Sequence, residues 1–217
     1  RSVDYSIRFL SQEQSKPFFL ACGLFRPHLP WYVPKRFFDL YPLDQVVVPV
    51  NPDHDLDDVP TAGKALAKVR WRDLKTIQQA GAKRRAVQAY LASISFADEQ
   101  LGRVLDALDT SSFQHNTIVV LWSDHGYHIG QKHHWEKFAL WEQTTNVPLI
   151  IVDSRNGKSA TRCSQPVSLL DLYPTLVDLC NLEKPAHLEG QSLLPLIKNG
   201  NPLLLVVDEY GGTEGLI

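Results

Sequence analysis

A long amphipathic helix that leads into an apolar strand constrains the fold of this chain more than any other feature. Between Lys83 and Leu108 the apolar side chains recur at helical spacing: Val87, Leu91, Ile94, Leu101, Val104, Leu105 and Leu108. This pattern predicts a helix whose apolar face covers a sheet. Residues 116–122 (NTIVVLW) then form a β-branched run that predicts the clearest strand of the chain. A covering helix followed by a strand is typical of α/β folds.

Two further apolar runs predict strands, and one polar pattern predicts a helix start. Residues 17–23 (PFFLACG) form a short apolar run ended by glycine, which predicts a strand buried on both faces. Residues 147–152 (VPLIIV) predict another strand, with its proline near the beginning or at a sheet edge. Ser168 and Asp171 resemble a capping box that opens a helix. The alternation predicts an α/β domain with a mainly parallel central sheet flanked by helices.

Composition and charge narrow the range of partners. The 217 residues are 44% hydrophobic and 21% charged, as in an ordinary globular protein, and carry a formal net charge of −2. We therefore expect neither a nucleic-acid partner nor a membrane partner. No apolar run reaches the roughly 20 residues that span a bilayer. The acidic stretch 53–58 is expected to be a solvated surface loop. The composition does not indicate an oligomeric state.

The strongest chemical signal is the run Ser123-Asp124-His125-Gly126, directly after the predicted strand 116–122. Ligands of α/β sheets gather beyond the carboxyl ends of strands. Asp124 offers a hard oxygen, His125 a nitrogen, and Gly126 a tight backbone turn. Such a site suits Ca²⁺ or Mg²⁺ if oxygen dominates, and Zn²⁺ or Mn²⁺ if the imidazole binds directly. The same residues also fit a simple turn in which Asp124 is a cap and His125 packs beside it.

The residues that follow favour an anion pocket. Residues 127–137 (YHIGQKHHWEK) contain three His and two Lys, with Trp135 among them and Phe138 next to them. Clustered cations stabilise developing negative charge, and aromatic rings exclude water. The predicted strand 17–23 also leads into a polar loop, which places His28 between two prolines.

Several blocks, in order along nearly the whole chain, resemble the sulfatase family of the alkaline-phosphatase-like superfamily. They are most similar to its iduronate-2-sulfatase subfamily and bacterial relatives. The matching blocks are residues 18–30 (FFLACGLFRPHLP), 90–102 (YLASISFADEQLG), 123–126 (SDHG), Lys137, 146–149 (NVPL), 168–176 (SLLDLYPTL) and 188–193 (LEGQSL). Several matching blocks together are far more specific than any one of them alone.

The resemblance implies hydrolysis of the sulfate ester of a carbohydrate or another organic sulfate. In that family a formylglycine attacks sulfate as a hydrated gem-diol, and Ca²⁺ holds the sulfate oxygens. By position, Asp124 and His125 would be metal ligands and Lys137 would bind sulfate. His28 would contact the sulfate or the leaving oxygen. The family's habit also implies a periplasmic, secreted or lysosomal location.

The resemblance also implies that residues 1–217 are an incomplete catalytic domain, its middle and C-terminal part. Formylglycine is made from Cys or Ser in a C/S-x-P-x-R motif, and no such motif occurs here. The family's first acidic pair of metal ligands has no counterpart either. We therefore expect the nucleophile and that pair to precede Arg1, and this chain alone to be inactive. The lack of Met and the helix-like start also favour an incomplete catalytic domain.

Two departures from the family leave alternatives open. Many sulfatases carry Asn or Gln after the metal-binding Asp, so His125 leaves Ca²⁺, Mg²⁺, Mn²⁺ and Zn²⁺ as candidates. Lys132, His133 and His134 differ from the iduronate enzyme and would line a substrate subsite or contact sulfate. A phosphoester or phosphonate hydrolase of the same superfamily also uses Asp–His pairs. A non-catalytic sulfatase-like subunit is the third hypothesis.

Overall fold

The computed structural model describes residues 1–68, 71–156, 162–198 and 203–208. The helices are α1 (Ser2–Leu10), α2 (Lys35–Asp39), α3 (Thr61–Ala67), α4 (Trp71–Gln79), α5 (Lys83–Asp109), α6 (Glu142–Thr145), α7 (Leu172–Leu179) and α8 (Leu194–Lys198). The strands are β1 (Ile118–Trp122), β2 (His128–Ile129), β3 (Trp135–Glu136), β4 (Asn146–Asp153) and β5 (Leu203–Asp208). No helix among the described residues is long and apolar enough to cross a membrane.

The chain divides into two compact units. The first consists of Arg1–Val50 and Asp73–Asn116, and the second of Asn51–Arg72 and Thr117–Ile217. The assignment of all 217 residues to a single catalytic domain stays a prediction.

The first unit is organised around α5, the helix predicted from the apolar spacing. Val87 and Ala92 on its buried face are at most 2% exposed. Helix α2 packs on it through Phe37, whose ring lies 5.4 Å from that of Phe96. Arg36 of α2 also donates two hydrogen bonds, of 2.6 and 2.7 Å, to the Glu99 carboxylate of α5. The predicted long helix is confirmed.

The predicted strand 17–23 is wrong. This segment is extended, but it forms no ladder with any residue that the structure describes. Its side chains alternate between partly buried and exposed, and Phe19 is 80% exposed. An apolar run predicts burial, whereas a strand also needs a neighbour whose backbone groups pair with its own. That neighbour is not among the described residues.

The second unit contains a three-stranded sheet in the order β1-β4-β5. Strands β1 and β4 pair antiparallel, with Ile118 opposite Asp153 and Trp122 opposite Leu149. Strand β5 also runs antiparallel to β4. The predicted α/β class is confirmed, but the described strand pairs are antiparallel rather than mainly parallel. Parallel neighbours need a long crossover, usually a helix, and the only α-helix described between β1 and β4 is the four-residue α6.

The core of the second unit lies on one face of β4. Val147, Leu149 and Ile151 alternate into it and are at most 5% exposed. Leu179 from the end of α7 and Leu193 pack in the same cluster. The predicted capping box precedes α7: Ser168 Oγ accepts from the backbone N–H of Leu170, and Asp171 Oδ2 accepts from that of Ser168 at 3.0 Å.

Candidate active site

The site begins where β1 ends, at Trp122. Ser123 Oγ donates a 2.9 Å hydrogen bond to the carbonyl of His125, which folds the chain back on itself. The turn brings Asp124 Oδ2 within 3.6 Å of His125 Nε2. The Asp124 carboxylate is 84% exposed, whereas the His125 ring is largely buried.

Gly126 fixes this turn against α6. Its N–H donates to the carbonyl of Thr144 at 2.6 Å, and the N–H of Tyr127 donates to that of Gln143 at 2.6 Å. A Cβ atom at Gly126 would lie 2.2 Å from the Gln143 carbonyl oxygen. Glycine is therefore required here because two backbone segments come into close approach, and not because the turn needs a positive φ.

The hydrogen bonds of His125 orient its ring. Nδ1 lies 2.8 Å from the Gly126 carbonyl oxygen and must be the donor, because a carbonyl only accepts. Lys137 Nζ lies 2.9 Å from Nε2 and donates to its lone pair. The structure thus brings Asp124, His125 and Lys137 together, three of the four site residues predicted from the sequence.

Asp124 and His125 are arranged as two ligands of one metal ion would be. Oxygen and nitrogen ligands lie about 2.0–2.6 Å from an ion, so two neighbouring ligands are about 3–4 Å apart. The 3.6 Å separation of Asp124 Oδ2 and His125 Nε2 fits that range. Among the described residues, no group of three or more His, Cys, Asp or Glu side chains could hold a metal. The spacing of this pair is therefore compatible with two ligands of one ion.

The loop that carries Lys137 has an unusual backbone. Lys132, His133, Glu136 and Phe138 all have φ between 52° and 70°. Each non-glycine residue in this region costs about 1–3 kcal/mol, and such residues cluster at functional sites. Glu136 and Phe138 flank Lys137, so the lysine lies between two left-handed residues. Strands β2 and β3 pair across the loop and place Trp135 in the interior, 1% exposed.

Asp55 holds the same loop, and sequence reasoning missed it. Its carboxylate lies 2.9 Å from Lys132 Nζ and accepts from the Lys132 backbone N–H at 2.8 Å. Burial opposes ionisation of Asp55, but the hydrogen bonds and charge of Lys132 outweigh it and hold the pKa of this carboxyl below its usual value. Asp55 is thus not part of a solvated loop, and the Lys132 charge is committed to it. No local signal reveals a pair 77 residues apart.

Two buried histidines lie beneath the loop. The rings of His128 and His134 are edge to face, with centroids 5.0 Å apart, and neither residue is exposed. Burial, with the charge of His134 as a second cause, lowers the pKa of His128 to about 4. His134 is therefore not a side chain that lines a substrate subsite or contacts sulfate, as the sequence had allowed.

His28 lies in the first unit, in a loop that is tied by its own hydrogen bonds. Its Nδ1 donates to the Leu29 carbonyl at 2.8 Å, which orients the ring. Arg26 donates to the carbonyls of His28 and Tyr32 at 3.4 and 3.3 Å. Trp31 Nε1 donates to the Pro27 carbonyl at 2.7 Å. Arg26 therefore serves the structure of this loop.

An α/β sheet with an Asp–His pair and a lysine beyond the end of one strand agrees with the alkaline-phosphatase-like fold expected from the sequence. A solved protein, described in complex with its substrate D-glucosamine-2-N,6-O-disulfate, has the same fold, with a TM-score of 0.71. It is 21% identical, and the match covers 92% of this chain and 52% of that one. The family model named Sulfatase matches residues 1–182. The chain belongs to the sulfatase family.

Curated relatives support the same family. A sulfatase from Formosa agariphila is 39% identical over 209 residues, covering 94% of this chain and 40% of the relative. Human iduronate 2-sulfatase is 30% identical over 245 residues, covering 94% of this chain and 44% of the relative. The resemblance to sulfatases is confirmed, and the chain spans less than half the length of both relatives. Members of the family generally use a metal ion and a formylglycine.

Proposed function

We propose that the protein formed by this chain hydrolyses sulfate esters of a carbohydrate or another small organic molecule. The observation that carries the proposal is the convergence of Lys137 Nζ, His125 Nε2 and Asp124 Oδ2 beyond the end of β1. An ammonium beside two metal-binding atoms can neutralise a bound sulfate. The sulfated sugar bound by the structural relative supports a sulfated glycan or small-molecule substrate here.

In this proposal Asp124 and His125 hold a divalent cation. An exposed carboxylate and an oriented imidazole suit Ca²⁺, the metal implied by the family resemblance, and do not exclude Mg²⁺, Mn²⁺ or Zn²⁺. When bound, the ion supplies positive charge that polarises the sulfate oxygens. Nδ1 of His125 donates to the Gly126 carbonyl, so Nε2 is the nitrogen that would bind the ion.

Lys137 and His28 act on the substrate itself in this proposal. Lys137 binds the sulfate oxygens, because an ammonium is a compact point charge that suits a tetrahedral anion. His28 contacts the sulfate or the leaving oxygen and donates a proton from Nε2 as the alcohol departs. The Leu29 carbonyl orients the His28 ring for that role through Nδ1.

The nucleophile of this proposal is a formylglycine outside residues 1–217. None of these residues forms a C/S-x-P-x-R motif. The family's first acidic pair of metal ligands is also placed outside them. Residues 1–217 are then expected to release no sulfate by themselves. A periplasmic, secreted or lysosomal location is proposed on family resemblance alone.

The direct test is Asp124→Asn in the full-length protein. Sulfate release from 4-nitrophenyl sulfate and from a panel of sulfated monosaccharides is measured, together with bound metal. We expect turnover to fall by at least about 100-fold, as when one stabilising group is removed from an active site, and bound metal to decrease. Asp58→Asn, a change to another exposed acid, should leave both unchanged.

Three outcomes would change the assignment. Wild-type activity and metal content in Asp124→Asn would remove Asp124 from the site. Faster release of phosphate from 4-nitrophenyl phosphate than of sulfate from 4-nitrophenyl sulfate would favour the phosphoester branch of the superfamily. A full-length protein that hydrolyses neither class of ester would favour a non-catalytic subunit.

A further inference from the structure

His134 lies between two backbone carbonyls that belong to different segments of the second unit. Its Nδ1 is 3.0 Å from the carbonyl oxygen of Ala67, the last residue of α3. Its Nε2 is 2.6 Å from the carbonyl oxygen of Lys137. The ring is 0% exposed, so no water competes for either nitrogen.

The two contacts determine the protonation of the ring. A carbonyl oxygen only accepts hydrogen bonds, and a neutral imidazole has a single N–H. A neutral His134 would therefore leave a nitrogen lone pair facing a carbonyl oxygen in a buried place. Both contacts are satisfied only when both nitrogens donate, which makes His134 an imidazolium. The Ala67 carbonyl belongs to the last turn of α3, where carbonyls lack partners within the helix and attract cations.

The contact at Nε2 controls the backbone of Lys137. Glu136 and Phe138, on either side, have φ of 69° and 70°, a conformation that needs support from the surroundings. The hydrogen bond from His134 holds the carbonyl between these two residues. The side chain of Lys137 starts from the same residue and reaches His125 Nε2 at 2.9 Å.

We infer that His134 is a positioning residue for Lys137: an imidazolium that ties the Lys137 carbonyl to the end of α3 and thereby aims Nζ at His125. It touches no substrate. This inference rests on the proposed function for its catalytic consequence, but its geometry does not depend on that function.

The neighbouring histidine is consistent with a charged His134. His128 Nδ1 lies 3.2 Å from the Gln131 carbonyl oxygen and donates to it. Its Nε2 is buried and has no hydrogen-bond partner among the residues that the structure describes. A neutral His128 edge to face with a charged His134 avoids placing two buried cations 5.0 Å apart. The two histidines therefore have different charges despite their similar burial.

The first test measures the protonation of the His134 ring by NMR and does not depend on catalytic turnover. Full-length protein labelled with ¹⁵N at histidine is recorded near neutral pH, with the His134 signals assigned by their loss in His134→Gln. Protons on both nitrogens of His134 are expected, and an unprotonated nitrogen would overturn the inference. In His134→Gln the ¹⁵N signal of His125 Nε2, recorded for both proteins after metal is removed with a chelator, should shift as Lys137 Nζ moves away. An unchanged His125 signal would show that Lys137 is positioned without His134.

The second test separates positioning from general stability by a double-mutant cycle. His134→Gln is expected to lower kcat/KM for a sulfate ester by about 10–100-fold, the size of effect that small misplacement produces. In a Lys137→Met background the same change should cost less than about 3-fold, because coupled residues are not additive. An equal fall in kcat/KM in both backgrounds would show that His134 has only a structural role. His115→Gln, the same substitution at an exposed site, serves as the control.

Failure of the inference and failure of the proposed function are distinguishable. A wild-type protein without sulfate-ester hydrolysis would contradict the function, while the ¹⁵N signals of His134 and His125 would still decide the positioning. Conversely, an active wild type whose His134→Gln variant keeps its kcat/KM would contradict the positioning alone.

Discussion

Lys137 Nζ lies 2.9 Å from His125 Nε2 and donates to the lone pair that a metal ion would need. That lone pair cannot bind both at once. In the proposed site, Lys137 Nζ would leave Nε2 when a cation binds between Asp124 and His125, and the ammonium would then be available for an anion. We therefore propose that this contact couples metal binding to the release of the Lys137 charge.

Lys137→Met should separate these two effects. Without the ammonium, Nε2 of His125 no longer has to give up a charged hydrogen bond, which contributes about 1.5–3 kcal/mol. We expect Ca²⁺ to bind the full-length variant more tightly, by about 10-fold or more, in calorimetric titration. The same variant should lose at least about 100-fold in kcat/KM, because a charge that neutralises sulfate is gone.

The diagnostic result for Lys137→Met is a rise in Ca²⁺ affinity together with a fall in kcat/KM. Lys16→Met, at an exposed lysine, should change neither. If Ca²⁺ binds Lys137→Met more weakly than it binds the wild type, Lys137 supports the metal site rather than competing for it.

Asp55→Asn should loosen the loop that carries Lys137. The Asp55–Lys132 pair is about three-quarters buried and includes a hydrogen bond to the Lys132 backbone. Its loss should cost about 2 kcal/mol in the free energy of unfolding, measured with urea near pH 7. Asp58→Asn, on the same loop but exposed, should cost less than about 0.5 kcal/mol.

The pH dependence of this effect has a definite sign. The pKa of Asp55 is lowered in the folded protein, so its contribution to stability is complete above the unfolded pKa of about 3.9. It is lost as the pH falls through the lower, folded pKa. The stability difference between wild type and Asp55→Asn should therefore shrink under acid conditions, and a difference that grows toward low pH would contradict the pairing.

Local patterns predicted the elements that local chemistry determines. Helix α5 and strand β4 were found within one or two residues, because side-chain periodicity depends only on the element itself. The capping box at Ser168 was found for the same reason. The run 17–23 was predicted as a strand and is not one, because pairing depends on a neighbour that the run does not encode.

The site was predictable in part, for a similar reason. Asp124 and His125 lie beside each other in sequence, and their position at the end of β1 follows from the strand. Asp55 was missed because its partner is 77 residues away. His134 was noticed but misassigned, because two adjacent histidines give no sign of which one is buried until α3 is placed.

His128 should make the protein less stable as the pH falls from about 6.5 to about 4. Its folded pKa of about 4 lies below the unfolded value, so in this window the unfolded chain binds a proton that the folded protein excludes. The loss amounts to about 3 kcal/mol across the window. Urea unfolding of His128→Gln should show a smaller loss over the same range, and parallel curves for both proteins would argue against a buried, neutral His128.

Gly126→Ala should destabilise the site through its backbone. The added Cβ would meet the Gln143 carbonyl oxygen at 2.2 Å, so the turn after β1 and helix α6 must separate. We expect a loss of about 2–3 kcal/mol in the free energy of unfolding, as in an overpacked core. Gly102→Ala supplies the matched control, because its Cβ meets nothing within 4 Å in the interior of α5. That variant should gain about 0.5–1 kcal/mol from helix propensity. Equal effects at both glycines would contradict a close backbone approach at Gly126.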